Sequence, residues 1–272
     1  MFAEIRPADA PPAIAAIYAD IRAVSGVPMV NLIWRHFAAL PGVLEWAWTT
    51  ARPLVASGPM AAARARVAAA VALPAITKPT DEALARAGLD DAAALAALRA
   101  MIAAYVRGNV TNVIALTALR LRLDAPDRPA ARLSPGLPPP AAPPLPPLAR
   151  IEALPAGLAA AVRALAARHD GTGDGVIPSL YLALAPWPGV VEALARWLGP
   201  LYAPAAMRAA RASTLRAAEQ EAASMLPAIG PAPDGLAAMR PTLDRFTRLV
   251  IPDLVPVCIA LDGLLSAAGR QG

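Results

Sequence analysis

The residues able to do chemistry are few, and most have a plainer reading beside the chemical one. Asn109 and Asn112 lie together in Arg107-Gly-Asn-Val-Thr-Asn112, where their amides could hold a water or a carbonyl. An Asn after Gly at a helix junction also serves as a cap or turn residue, and both readings stand. Ser179 follows Pro178, the place of a helix cap, and no histidine partner marks it as a nucleophile. Asp170-Gly-Thr-Gly-Asp174-Gly175 imitates the start of an EF-hand loop. Its twelfth position is Tyr181, where a bidentate Glu is required, so we expect a turn.

Whole classes of site drop out on counts. The single cysteine, Cys258, excludes a disulfide within the chain, a CxxC relay and a thiolate zinc site. The only histidines, His36 and His169, do not form an HExxH, so a histidine metal site is not expected. No GxGxxG, P-loop or GxSxG is present. The usual metal-site and nucleotide-binding signatures are therefore absent. His36 sits on an apolar segment and reads as a satisfied, buried side chain. Tyr18, Trp46, Trp48, Tyr105, Tyr181 and Trp187 read as core or interface residues.

The elements that must position these residues read as helices. Ile14, Ile17, Ile21 and Val24 follow helical spacing, as do Leu158, Val162 and Leu165. Thr80 is placed to cap a short helix that Gly88 ends. Asp90 caps a longer one carrying Leu95, Leu98, Ile102 and Val106 and stopping at Gly108. Residues 203–224, studded with arginine, read as a partly exposed helix. No run of alternating β-branched residues predicts a sheet, so the fold class is all-α.

Composition narrows the setting. The 272 residues include 70 alanines and 31 prolines, and hydrophobic residues make up 57%. That favours an ordered, helix-rich globule over disorder. The net charge is +5, but the arginines are scattered singly among carboxylates, so no nucleic-acid surface is expected. The charge-free stretch from Gly175 to Val191 is broken by prolines at 178, 186 and 188; we read it as core, not a membrane span. The first residues show neither a basic nor an apolar region of a signal peptide, and a cytoplasmic protein is expected.

Residues 135–147 carry eight prolines in thirteen positions. Proline fixes φ and removes a donor, so this piece is expected to run as an extended strap. At ~3.1 Å per residue it spans on the order of 40 Å. We read it as a linker over 134–149, between helical units at 1–133 and 150–272. Those units resemble each other. Pro41-Gly-Val-Leu-Glu45 with Pro53-Leu54 matches Pro188-Gly-Val-Val-Glu192 with Pro200-Leu201 at one offset. Leu73-Pro-Ala-Ile76 recurs as Leu226-Pro-Ala-Ile229, and Ala115-Leu116 with Leu119 as Ala260-Leu261 with Leu264. The expectation is two tandem helical repeats packed against each other.

Together these features resemble the group I 2-haloacid dehalogenases. The resemblance runs through Tyr18-Ala-Asp-Ile-Arg22, Val27-Pro28, Pro41-Gly42 with Ala47-Trp48, and Gly108-Asn109. It continues in Ala183-Leu-Ala-Pro-Trp-Pro188, Arg245-Phe246 and Leu261-Asp-Gly263, spanning nearly the whole chain. The resemblance implies two helical repeats joined by a proline-containing strap, an active site between them, and a homodimer. It implies hydrolysis without metal or cofactor. A carboxylate general base and an asparagine activate a water, which displaces halide from the 2-carbon with inversion. The asparagine falls on Asn109. The carboxylate position falls in Ser179-Leu180-Tyr181, on Leu180, which cannot accept a proton.

The family's aromatic after the first Val-Pro is likewise replaced, by Met29. The implied pocket is apolar, lined by Met29, Ser179, Leu180 and Tyr181, with Leu180 matching Val30 across the repeat. Two functions follow. One is a dehalogenase-like hydrolase of small carboxylic acids that uses Asn109 and a relocated base, Asp174 or Asp253. The other is a helical protein that binds a small carboxylic acid or a mainly apolar ligand between its repeats without haloacid turnover.

Overall fold

The structure is a computed structural model describing residues 3–142 and 144–267. Its helices are α1 (Pro12–Ser25), α2 (Leu32–Phe37), α3 (Val43–Val55), α4 (Pro59–Ala70), α5 (Asp81–Arg86) and α6 (Ala92–Asp124), then, beyond the strap, α7 (Ala156–Ala166). They continue with α8 (Ser179–Ala183), α9 (Pro188–Trp197), α10 (Gly199–Tyr202), α11 (Pro204–Ala223), α12 (Leu236–Arg245) and α13 (Ile251–Ala267). Among the described residues there is no strand, only an isolated bridge between Ser57 and Pro135. The all-α class is as expected.

Local signals set several boundaries. Thr80 Oγ1 accepts from Ala83 N at 3.2 Å and caps α5, and Gly88 takes φ +77° just beyond its end. The long helix departs from expectation at both ends. Its cap is Asp91, whose carboxylate accepts from Ala93 N and Ala94 N at 3.3 and 3.0 Å. It does not stop at Gly108 but runs on to Asp124, about 50 Å in all. Gly108 is a notch within it: a Cβ there would lie 3.3 Å from Asn31 Oδ1 and 3.7 Å from Val27 Cγ1. Close packing, not chain reversal, is what this glycine provides.

Helix α6 is the axis of the core. It packs on α3 and α4 of its own half and on α11 and α13 of the other. Arg66 grips Glu221 with two bonds of 2.6 and 2.7 Å, and Arg120 reaches Glu219 at 2.8 Å, both joining the halves. Two apolar segments, Ala92–Asp124 and Leu236–Ser266, are long enough to cross a membrane. Their apolar windows are 78% and 72% buried in the fold, which makes them core helices. The second is α12 and α13 joined through a π turn at Phe246–Val250. Pro252 follows that turn and has no N–H for the carbonyl of Arg248, so a wider register there avoids a bond that could not form.

The strap carries no helix among its described residues, and its start is tied to the first half. Gly136 N donates to Ala56 O at 2.8 Å, and Gly58 N donates to Ser134 O at 2.9 Å. Pro139 packs over Gly26, where a Cβ would sit 2.6 Å from the proline ring. Residues 145–149 then form one wall of a cavity between the two halves. Pro143 lies outside the described residues.

Candidate functional site

Two cavities meet at Ser179. The larger, about 580 Å³, lies between the halves. Met29 and Val30 come from the segment before α2, Met101 and Tyr105 from α6, Ser179, Leu182 and Ala183 from α8, and Leu145 and Leu148 from the strap. Arg6, Arg22, Arg35 and Arg150 add cationic groups, with Asp9 exposed at the edge. The smaller, about 20 Å³, is lined by Asn31, Asn109, Ser179, Phe246, Val250 and Leu254 among others. It has room for no more than about one water.

Helical register explains which predicted residues reach the larger cavity. In α8, Ser179, Leu182 and Ala183 share one face, as residues at i, i+3 and i+4 do. Leu180 and Tyr181 fall on the other faces, fully buried, and line neither cavity. The expectation of Leu180 facing Val30 across the pocket is thus met only on the Val30 side. Met29 and Ser179 do line the larger cavity. Along α6 the same spacing runs Met101, Tyr105, Asn109, so Asn109 lies one turn beyond the larger cavity and opens on the smaller.

Asn109 is therefore a buried mid-helix residue, not a junction cap. Its Oδ1 accepts from Asn31 Nδ2 at 3.3 Å and its Nδ2 donates toward Cys258 Sγ at 3.5 Å. Asn112, one turn on, accepts from Trp34 Nε1 at 3.0 Å and is structural. Burial pushes the pKa of the Tyr105 hydroxyl up to about 12, with Ser179 opposing the rise. Burial likewise raises the Cys258 thiol to about 12. Among the described residues, no carboxylate or imidazole lines the small cavity. A water beside Asn109 can be oriented there, but no described residue lining that cavity accepts its proton near neutral pH.

The two carboxylates considered as relocated bases stand elsewhere. Asp253 is fully buried and committed. Arg211 Nε donates to its Oδ1 at 2.6 Å, and the Asp170 N–H donates to its Oδ2 at 3.3 Å. Burial raises its pKa and the Arg211 guanidinium opposes the rise. The Asp174 side chain lies outside the described residues. The EF-hand-like segment forms a 3-10 turn, Asp170–Gly175, and no metal-ligand cluster occurs among the described residues.

Beneath α8 lies a buried network that the sequence does not signal. Tyr181 Oη is 2.5 Å from His169 Nε2 and 3.2 Å from Tyr202 Oη. Desolvation, with Arg211 nearby, pushes the His169 pKa down to about 4, so the ring is neutral and shares one hydrogen bond with the Tyr181 hydroxyl. Its Nδ1, 3.8 Å from Asp253 Oδ2, has no hydrogen-bond partner. This network anchors Tyr181 and so fixes which face of α8 meets the cavity. His36 is buried as expected, with Nδ1 2.7 Å from Ala3 O.

The cavity's arginines were also hidden in the sequence, because they come singly from separate elements. Arg35 Nε lies 2.7 Å from Glu4 Oε2, near enough to pair although not aligned for a hydrogen bond. Arg6 lies 3.4 Å from the same carboxylate. Arg22 is half-buried in the last turn of α1, and among the described residues no carboxylate lies within 4 Å of it.

Solved structures carry the same arrangement of helices. A structure described as a D-2-haloacid dehalogenase mutant superposes with a TM-score of 0.82 at 16% identity, covering 97% of this chain and 96% of that one. This is the fold of the D-2-haloacid dehalogenases. Two complexes, one of a D-2-haloacid dehalogenase mutant with D-2-CPA and one of D-2-haloacid dehalogenase with L-LA, give TM-scores of 0.76 and 0.73. Both are 20% identical and cover all of this chain and 96% of theirs. No protein-family model matches the sequence, and no curated protein matches it.

Proposed function

We propose that this chain is a homologue of the 2-haloacid dehalogenases that binds a carboxylic acid in the cavity between its halves and has lost haloacid hydrolysis. The observation that carries this reading is the small cavity at Asn109, where no described residue is a proton acceptor. A positioned general base contributes typically ~10²–10⁴-fold in rate. Without one, Asn109 orients water but leaves it a poor nucleophile. The larger cavity supports the binding half of the proposal. Its walls are mostly apolar side chains with a few polar groups and a surplus of cations, the usual make-up of a small-molecule site.

Shared ancestry of the two halves belongs to the same reading. The matching Pro-Gly-Val-x-Glu blocks stand at the starts of α3 and α9, which supports an internal duplication. Hydrolysis is tested by halide release from both enantiomers of 2-chloropropionate, with the wild type and Asn109→Ala. The expected result is release at the uncatalysed rate in both. Release by the wild type that Asn109→Ala abolishes would overturn the proposal and require a base beyond those described.

A further inference from the structure

The cavity is too large for a three-carbon acid. Its volume of about 580 Å³ amounts to on the order of twenty waters at ~30 Å³ each. A 2-halopropionate would displace only a handful of them and leave most of the apolar wall wet. That wall is extensive: Met29, Met101, Leu145, Leu148 and Leu182 come from four separate parts of the chain and converge on one space. Methionines and leucines at ordinary packing would close such a space if nothing else were meant to fill it. Taking one water volume per methylene, an acid of about twelve to eighteen carbons occupies most of it.

The charge pattern supplies the headgroup. Arg6 and Arg35 share Glu4, so their charge is partly met within the protein. Arg22 also lines the cavity, is half-buried, and among the described residues has no carboxylate to pair with. A partly desolvated guanidinium without an anion is costly, and a carboxylate supplies two acceptors in the geometry its fork prefers. Arg150, exposed on the strap side, adds attraction at the edge.

We propose that the ligand is a long-chain or bulky apolar monocarboxylate, held at its headgroup by Arg22, with its tail between α6, α8 and the strap. The inference rests on the carboxylic-acid reading above but is separable from the loss of hydrolysis. Apolar burial supplies most of the affinity. The headgroup bond sets the preference for acid over alcohol.

The test is calorimetric titration of the full chain with dodecanoate, dodecanol and 2-bromododecanoate, with bromide followed in the last samples. Dodecanoate is expected to bind once per chain, and dodecanol about 10- to 100-fold more weakly, the worth of one charge-assisted hydrogen bond. In Arg22→Gln the two ligands are expected to bind alike. Met29→Trp, which fills the space, is expected to abolish dodecanoate binding while circular dichroism stays native. No binding of dodecanoate, several equivalents per chain, or equal binding of acid and alcohol by the wild type would overturn the inference. So would an Arg22→Gln variant that loses thermal stability yet keeps the acid preference, since Arg22 would then serve only the C-terminal end of α1. Binding of 2-bromododecanoate without bromide release supports both proposals. Binding with release keeps this inference and overturns the loss of hydrolysis.

Discussion

Replacing His169 with glutamine is expected to flatten the acid dependence of stability by a calculable amount. The ring ionises at about 6.5 when exposed and at about 4 in the fold, chiefly because burial disfavours the cation. As pH falls below 6.5 the unfolded chain takes up a proton that the folded chain refuses. Stability is therefore lost through the window from 6.5 down to about 4. Between pH 7 and pH 4.5 the loss from this one group is roughly 2–3 kcal/mol. Asp253 acts with the opposite sign. Its raised folded pKa lets the native state bind a proton first, which offsets part of the loss at the acid end. Glutamine keeps a partner for the Tyr181 hydroxyl and does not titrate. Urea unfolding of both proteins at pH 7 and pH 4.5 isolates the term, because the carboxylates are common to both. The wild type is expected to lose the larger share by the stated amount. Equal losses would refute the reasoning, and would mean that His169 protonates within the fold and pairs with Asp253 across their 3.8 Å.

Two further perturbations follow from single contacts. Arg211→Ala strands the buried Asp253 carboxylate and is expected to cost about 3–5 kcal/mol at pH 7. The cost shrinks toward pH 4 as Asp253 takes up a proton, and a loss below ~1 kcal/mol at pH 7 would contradict the assigned pairing. Gly136→Val puts a Cβ 2.9 Å from Ser57 O and 3.0 Å from Gly58 N, both backbone atoms that cannot swing aside. A destabilisation of about 1–3 kcal/mol is expected. Hydrogen exchange at the Gly58 amide, which donates to Ser134 O, will quicken, and unchanged exchange there would show that the strap is not held by this bridge.

By itself the sequence determined the helical class, many of the helices and the strap, because these follow from interactions along the chain. The Ile14–Val24 spacing gives α1, Thr80 and Gly88 bound α5, and the proline run lacks the N–H donors a helix needs. It also singled out Asn109, Ser179 and Met29, which the fold places on the walls of two adjoining cavities. Tertiary structure decided the rest. Gly108 reads locally as a stop, yet the helix continues because Asn31 and Val27 pack into the space that a side chain would occupy. Leu180 reads as a pocket residue, yet the Tyr181–His169 bond fixes α8 with Leu180 turned into the core. The cavity arginines carry no pattern at all, since Arg6, Arg22, Arg35 and Arg150 come together only when α1, α2 and the strap do. Caps and periodicity are local in the chain. A cavity's volume and its unpaired charge depend on contacts between residues more than a hundred positions apart, and those form only on folding.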